Sequence, residues 1–553
     1  MLDLKPINEI SDADFWTTSA QFQLAANSYY NYLMTFADIL NDNPHSERRG
    51  DFLTTRDGSN TFSAGANTAG LTDANWNTAY TRLREVNYLL AKADNYIVPA
   101  DIATYVAEAK FFRAYIYFDL LQQFGGVPIV LKPLEVGAPE LQTARNTRDE
   151  VVDQIIKDLE EAIDVLPLES AITTANKGRI SQGVAQAFLS RVALYEGTWQ
   201  KFRNNTTRAN ALLDKAISNS NVVITSAQYS LFAPAVLGDS AQKYMFILED
   251  EKSNPAGIQK AANNEYILKN RYSFSLRQIR INITKAVVEN VYWVTKKFAD
   301  MYLCKDGLPI NKSPLFQGYA TTTSEYGNRD NRMKYTLMLD GKYYWDFANP
   351  GARTTWLGDA ADRASSRGIN NGAVGSGYNN QKWGTERRLE SNEEGYDYPV
   401  IRYAEVLLIY AEAVFERNGA ISDADLDKSL NLVRNRVNKT MPKLSAALVS
   451  ANGLDMRTEI RRERNIELYF EGFRVDDLKR WKTAETELPM DIRGITWTGT
   501  AWATKWPGIS ANIVNNVFRL ETARSWAEKN YLLPIPTQQI SLNPNLSQNP
   551  GWE

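Results

Sequence analysis

Over most of the first half of the chain, apolar residues recur at the three-to-four-residue spacing of one helix face. Phe15, Trp16, Phe22, Tyr29, Tyr30 and Leu33 keep this rhythm behind Ser11 or Asp12, either of which can cap a helix. The spacing predicts further helices over about 73–96, 101–124 and 148–166. Pro99 separates the second helix from the third. Gly125-Gly126 and Pro128 end the third. Asn146 or Thr147 opens the fourth, and Pro167 stops it. Between the first two helices, residues 41–70 are polar and rich in Gly and Asn. That is long enough for a functional loop.

One pattern returns. Ala107-Glu108-Ala109-Lys110-Phe111-Phe112-Arg113-Ala114-Tyr115, the run from Val184 to Tyr195, and Tyr403 to Ala413 all mix small alanines with large apolar residues at helical spacing. Alanine lets helix backbones approach, and the large residues fill the adjoining groove. A second helical stretch follows the later two, at 209–218 and 424–437. Paired helices of this kind suggest degenerate tetratricopeptide-like repeats, whose regular length is about 34 residues. Four pairs can be drawn: around Phe22 and Leu83, Phe111 and Ile155, Phe188 and Leu212, and Leu408 and Leu432. A long insert, about 221–396, interrupts them and is rich in Asn, Gly, Tyr and Trp. Within it, Tyr244 to Glu249 reads as a strand. A second irregular stretch, 488–521, carries Trp497, Trp502 and Trp506. The expected fold is mainly α, four tetratricopeptide-like pairs forming a scaffold with a large loop-rich insert that carries the ligand site. The expected divisions are 1–220 with three pairs, 221–396 as the ligand-binding insert, and 397–553 with the fourth pair.

Composition narrows the chemistry. The formal charge of -3 gives no basic field for nucleic acid or an anionic membrane. One histidine, His45, rules out a histidine-rich zinc site and most His-based nucleophile relays. One cysteine, Cys304, allows no intrachain disulfide. No apolar run reaches the roughly 20 residues of a membrane-spanning helix, and no signal peptide is visible after Met1. The 28 Tyr and 13 Trp supply flat rings for stacking, although most rings in any protein pack in the core.

Several blocks resemble the SusD-like (RagB/SusD) family. They are Leu2-Asp3-Leu4-Lys5-Pro6 with Ser11 to Trp16, Ala107 to Pro128 with its Phe-Gly-Gly-Val-Pro ending, Cys304 to Ile310, and Tyr398 to Leu408. Arg461 to Gly472, Asp476 to Trp481, Leu532 to Pro536 and Asn549 to Trp552 continue the match in order along nearly the whole chain. The resemblance implies a surface lipoprotein of the outer membrane, on the outer leaflet and facing the exterior. Met1 stands near the place of the family's lipidated cysteine, so an export signal and N-terminal lipid anchor are expected upstream. The implied partners are an oligosaccharide and a SusC-like TonB-dependent transporter, which the protein would cap as a hinged lid. No cofactor, no metal and no catalysis are expected.

The family's ligand patch lies where the loop after the first helix meets the insert, here 41–76 against 304–396. A sugar site needs an aromatic face over the C–H face of a ring and planar polar groups on adjacent hydroxyls. The candidates are therefore Asp42, Asn43, Asp57 and Trp76 from the first segment, and Cys304, Tyr343, Trp345, Arg367, Trp383 and Tyr396 from the second. Trp76 reads equally well as a helix-start core residue, Cys304 reads better as a packing residue, and His45 as an exposed loop residue. Arg461, Glu463, Arg464, Glu467, Glu471, Arg474 and Asp477 read as an ion-pair network. Three-residue spacing suggests Arg464 with Glu467 and Arg474 with Asp477. Glu393-Glu394, or Asp359 with Asp362, would be the pair for a glycoside hydrolase, whose carboxylate separation no sequence shows. Two other readings compete: a member of the same family that captures peptides or other nutrients, and a peptide-binding repeat scaffold outside it. The repeat scaffold is disfavoured by the interrupted repeats and by the concentration of rings in the insert.

Overall fold

The computed structural model describes residues 15–36, 44–55, 58, 60–281, 283–284, 292–342, 354, 375–387, 393–507 and 513–553. It is mainly helical and falls into two compact units, each made of discontinuous stretches. Unit 1 comprises 1–34, 68–192 and 528–553; unit 2 comprises 35–67 and 193–527. The three-part linear division drawn above cuts the chain differently, because the units draw on distant segments.

In unit 1, α1 (Ser19–Tyr29) starts after Thr18, later than expected, and Gln21 closes a capping box with that threonine. Asp73 caps α2 (Ala74–Ala93), its carboxylate accepting from the Asn75 and Trp76 amides at 2.8 and 2.9 Å. Pro99 opens α3 (Pro99–Phe124) at its first position, where the missing N–H costs nothing. Thr147 and Glu150 form a capping box on α4 (Arg148–Ile163). α2 and α4 both pack on α3. Arg113 of α3 ties them together, with two bonds to Asp158 at 2.8 and 2.6 Å and one to Asn87 at 3.1 Å. α3 ends at Gly125, whose φ of 77° favours glycine and whose added Cβ would lie 2.9 Å from Leu532. The C-terminal family block seals this helix end: Leu533 and Asn549 donate to the carbonyls of Gln123 and Phe124 at 2.7 and 3.0 Å.

Helix α5 (Gln182–Lys201) has its first half in unit 1 and its second in unit 2. In unit 2 the second half meets α6 (Thr206–Thr225), where a Cβ on Gly197 would lie 3.0 Å from Leu213. The absent side chain permits the close approach. Because α6 continues to Thr225, the insert begins later than 221. Tyr244 to Glu249 is not a strand: α7 (Ala241–Met245) covers its start, and the apolar residues after it are simply buried. A short apolar run carries no decisive period.

Next come α8 (Lys296–Met301) and α9 (Tyr403–Asn418). Helix α9 packs on α6 through Ile409 and Ala413 against Leu213 and Ala216. The helix expected at 424–437 is broken at Ser429, leaving Asp423–Asp427 and α10 (Leu430–Asn435). Then follow α11 (Met456–Glu467), α12 (Arg474–Arg480) and α13 (Ala501–Lys505). The strands are short and all antiparallel: β1 (Leu53–Thr55) with β3 (Tyr292–Val294), β2 (Tyr266–Asn270) with β4 (Tyr398–Arg402), and β5 (Ile492–Thr496), β7 (Val517–Glu521) and β6 (Ile513–Val514) in the order β5-β7-β6.

The family blocks of unit 2 meet in a buried lattice of charges. Arg402, at the end of β4, donates to Glu471 at 2.7 Å, Glu467 at 2.6 Å and Glu265 at 2.8 Å. Arg436 donates to Glu265 at 2.8 Å, Arg332 to Glu467 at 3.1 Å, and Lys382 to Glu471 at 2.6 Å. Burial opposes the charge of Glu467, but Arg436, Arg402 and Arg332 hold its carboxyl well below the usual range. Burial pushes the Lys382 ammonium down to about 8, with Glu471 working against it. The pairs expected within one helix are replaced by longer reaches: Arg464 bonds Asp477 at 2.7 Å, and Arg474 bonds Asp51 at 2.7 and 2.8 Å. His45 is no free loop residue, because its Nδ1 lies 2.7 Å from Asp476 Oδ2.

Candidate functional site

Asp42, Asn43, Asp57, Tyr343, Trp345 and Arg367, together with Asp359 and Asp362, lie outside the described residues. The other four candidates are buried. Trp76 is 4% exposed, with its ring edge-on to Phe124 and tilted against Tyr80, all within unit 1. Trp383 and Tyr396 stack on one another at 6.1 Å beneath Phe36, and Tyr396 OH donates to the Trp383 carbonyl at 2.7 Å. Cys304 is fully buried, and its thiol is pushed up by burial. Its amide donates to the Leu308 carbonyl at 2.8 Å, closing the Asp306-Gly307 turn. Glu394 is buried and accepts from the Thr284 amide at 2.9 Å. As placed here, these side chains hold the fold and offer no open face.

An open face lies nearby in sequence, around α8 and the segment 316–320. Thr295, directly after β3, caps α8 and donates to the Asp51 carbonyl at 2.8 Å. Phe298 and Ala299 of α8 enter a core that also holds Tyr302, Trp497 and Trp502. On the other side of α8, Lys296 and Asp300 pair at 3.0 Å. Arg329 fastens the end of α8 by donating to the carbonyls of Ala299 and Tyr302 at 2.9 and 2.7 Å, and its guanidinium lies over the Phe316 ring. Phe316 meets Tyr319 edge-on at 5.2 Å. Lys296 Nζ sits 4.1 Å above the Tyr319 ring and bonds its hydroxyl at 2.8 Å. Ala320 then accepts from the Ala501 amide at 2.9 Å, which ties this strip to α13. Trp506, just after α13, stacks on Trp502 at 5.9 Å.

The result is a shelf of two half-buried rings, Phe316 and Tyr319, bordered by the Lys296–Asp300 pair, and the Ala320–Ala501 bond ties it to the segment that carries half-buried Trp506. Thr322 extends it by bonding Asp340 at 3.0 Å. Beneath it, Glu325 accepts from Tyr378 OH at 2.9 Å. Burial pushes the Glu325 carboxyl up to about 7, against the pull of Lys296. Although burial opposes its charge, Asp300 beside it holds the Lys296 ammonium above its ordinary value. Such a surface can stack on a flat apolar face and exchange hydrogen bonds with hydroxyls. Among the described residues no group of three or more His, Cys, Asp or Glu side chains could hold a metal, and no helix is long and apolar enough to cross a membrane.

The reading of the residues missed Phe316 and Tyr319. Their only signal is two aromatics placed shortly after an Asp-Gly turn. Trp502 and Trp506 fall in a stretch that reads as irregular in sequence; their four-residue spacing is the helical sign.

Comparison with known proteins gives a consistent picture. The model of the SusD family matches residues 256–552, and one described as starch-binding, associating with the outer membrane, matches residues 2–194. SusD-like protein P2 of Formosa agariphila is 24% identical over 100% of this chain and 96% of its own. A SusD-like carbohydrate binding protein of Bacteroides fragilis has a crystal structure similar at a TM-score of 0.74, with 23% identity over 96% of this chain and 100% of its own. Surface glycan-binding protein A of Bacteroides fluxus is similar at 0.61, with 20% identity over 97% and 100% of the two chains. With over half its length matched in the expected order of blocks, this chain belongs to the SusD family.

Proposed function

We propose that this protein captures oligosaccharides at the cell surface and passes them to a SusC-like TonB-dependent transporter, which it caps as a lid on the outer leaflet of the outer membrane. It acts by binding and not by catalysis. The observation that carries the binding step is the shelf of Phe316 and Tyr319 beside the Lys296–Asp300 pair, with half-buried Trp506 on the segment tied to it through Ala320 and Ala501. Phe316 and Tyr319 lie within 304–396, where sugar contacts are expected, whereas Trp506 lies in the second irregular stretch, 488–521. Asp42, Asn43, Asp57, Tyr343, Trp345 and Arg367 are the proposed further contacts, because rings and planar polar groups are what a sugar needs. The names of the relatives support a carbohydrate ligand, and the outer-membrane family description supports the location.

An affinity-gel series across plant, host and microbial polysaccharides tests this reading. Retardation by one class, weakened by Tyr319→Ala or Trp506→Ala, is the expected result. Retardation by none of them would remove the glycan reading. New reducing ends after incubation with the retained glycan would replace it with a hydrolase.

A further inference from the structure

Near the end of α9, one carboxylate faces more cations than it can neutralise. Glu416 accepts from Nε and Nη2 of Arg457 at 2.7 and 3.1 Å and pairs with Lys201 Nζ at 2.7 Å. Arg461 Nη2 stands 3.9 Å from the same carboxylate, beyond hydrogen-bond reach. Arg457 and Arg461 are four residues apart on α11, a spacing at which like charges repel. They also share one ring, lying 5.7 and 5.0 Å from the centroid of Phe202.

A wider inventory leaves the surplus in place. Glu412 is already taken: it accepts from Arg480 at 2.5 and 2.7 Å and from Trp481 Nε1 at 2.6 Å. Asp455 is committed to the start of α11, where its Oδ2 accepts from the Thr458 amide and hydroxyl at 2.8 and 2.7 Å. Asp477 also reaches Arg480, but its charge is matched by Arg464 at 2.7 Å. Lys201, Arg457, Arg461 and Arg480 therefore face only Glu412, Glu416 and Asp455.

Arg461 carries the excess. Its guanidinium lies against two rings, Trp481 at 4.4 Å and Phe202 at 5.0 Å. Among the described residues its Nε and Nη2 have no hydrogen-bond partner. Ring faces attract a cation but do not replace the acceptors that guanidinium N–H groups need. Burial pushes the group down to about 10; Glu412 and Glu416 work against that shift, and Arg480 and Arg457 add to it. The place is not sealed. The side chains of Arg461, Lys201 and Arg457 are 17%, 27% and 38% exposed, and Phe202 is half-buried.

We propose that Arg461, Arg457 and Lys201 form a binding site for one oxyanion group, a sulfate, phosphate or carboxylate, at the edge of Phe202. Two guanidinium groups and an ammonium supply charge-assisted hydrogen bonds of the kind such groups accept. The ion supplies the negative charge that the protein lacks there. This site shares no residue with the ring shelf, so it stands or falls independently of the glycan reading.

Equilibrium dialysis of the full chain against radiolabelled sulfate, in chloride buffer at constant ionic strength, tests the assignment. Saturable uptake of one ion per chain is expected. Arg461→Gln, confirmed as folded by its melting curve, should weaken uptake at least ten-fold, and Tyr319→Ala should leave it unchanged. If Arg461→Gln melts early, Lys201→Gln gives the second measurement, with a smaller loss of the same sign. Unlabelled phosphate and galacturonate should both displace the label, and galactose should not. Displacement at lower concentration by galacturonate assigns the site to a charged sugar, and the reverse order to a free ion. The proposal is overturned if uptake does not saturate, if galactose competes equally, or if the folded variants bind sulfate as the parent does.

Discussion

The charge lattice and the ring shelf lie in the same unit and are built on opposite principles. Arg402, Arg436, Glu265 and Glu467 are almost wholly removed from water, and each is held by several partners. Phe316, Tyr319 and Trp506 are half in water and held by few. The blocks that identify the family by sequence fall mostly in the first group. Motif strength here tracks the difficulty of burying charge, while the surface suited to a ligand is built from ordinary residues on turns.

The largest way to break this contrast is to remove one member of the lattice. Arg402→Ala leaves Glu265, Glu467 and Glu471 short of a cation, and should cost about 3–5 kcal/mol in urea unfolding. A loss below about 1 kcal/mol would mean that water reaches these groups.

Acid should act in the same direction. Glu467 has a folded value far below its ordinary 4.5, so its stabilising contribution is present above 4.5 and is lost as pH falls below it. Glu325 has the opposite sign. Its value is raised to about 7, so stability falls as pH rises from 4.5 towards 7. Glu325→Gln keeps an acceptor for Tyr378 and should flatten that upper part of the melting-temperature profile. An unchanged profile would place the titration elsewhere.

A smaller effect is expected at the shelf. Tyr319→Ala or Trp506→Ala should weaken a confirmed oligosaccharide by about 0.5–1.5 kcal/mol in calorimetry. Smallest of all, Lys443→Ala breaks an ion pair with Asp427 in which both side chains are largely exposed, and should shift stability by less than about 0.5 kcal/mol.

The helices were readable where caps and periodicity agree. Asp73 before α2 and Thr147 with Glu150 before α4 announce their helices locally. α1 begins later than its apolar rhythm predicts, because Phe15 and Trp16 continue that rhythm without continuing its backbone; Trp16 has a φ of 75°. The charge network was readable in kind but not in pairing. Arg464 and Arg474 have nearby acids in sequence, yet topology brings Asp477 and Asp51 into reach. The candidate site was readable in region, less in residues. Trp76, Trp383 and Tyr396 are rings of the sort a sugar needs, and the same rings are good core fillers. Only the third dimension separates the two uses.

Cys304 has a practical consequence. It is the only sulfhydryl in the chain, it is sealed in the core, and burial keeps it protonated. A maleimide dye should therefore ignore the native protein until it unfolds. Any single cysteine placed on an outer face then becomes a clean attachment point for a fluorophore or spin label, with no background to subtract.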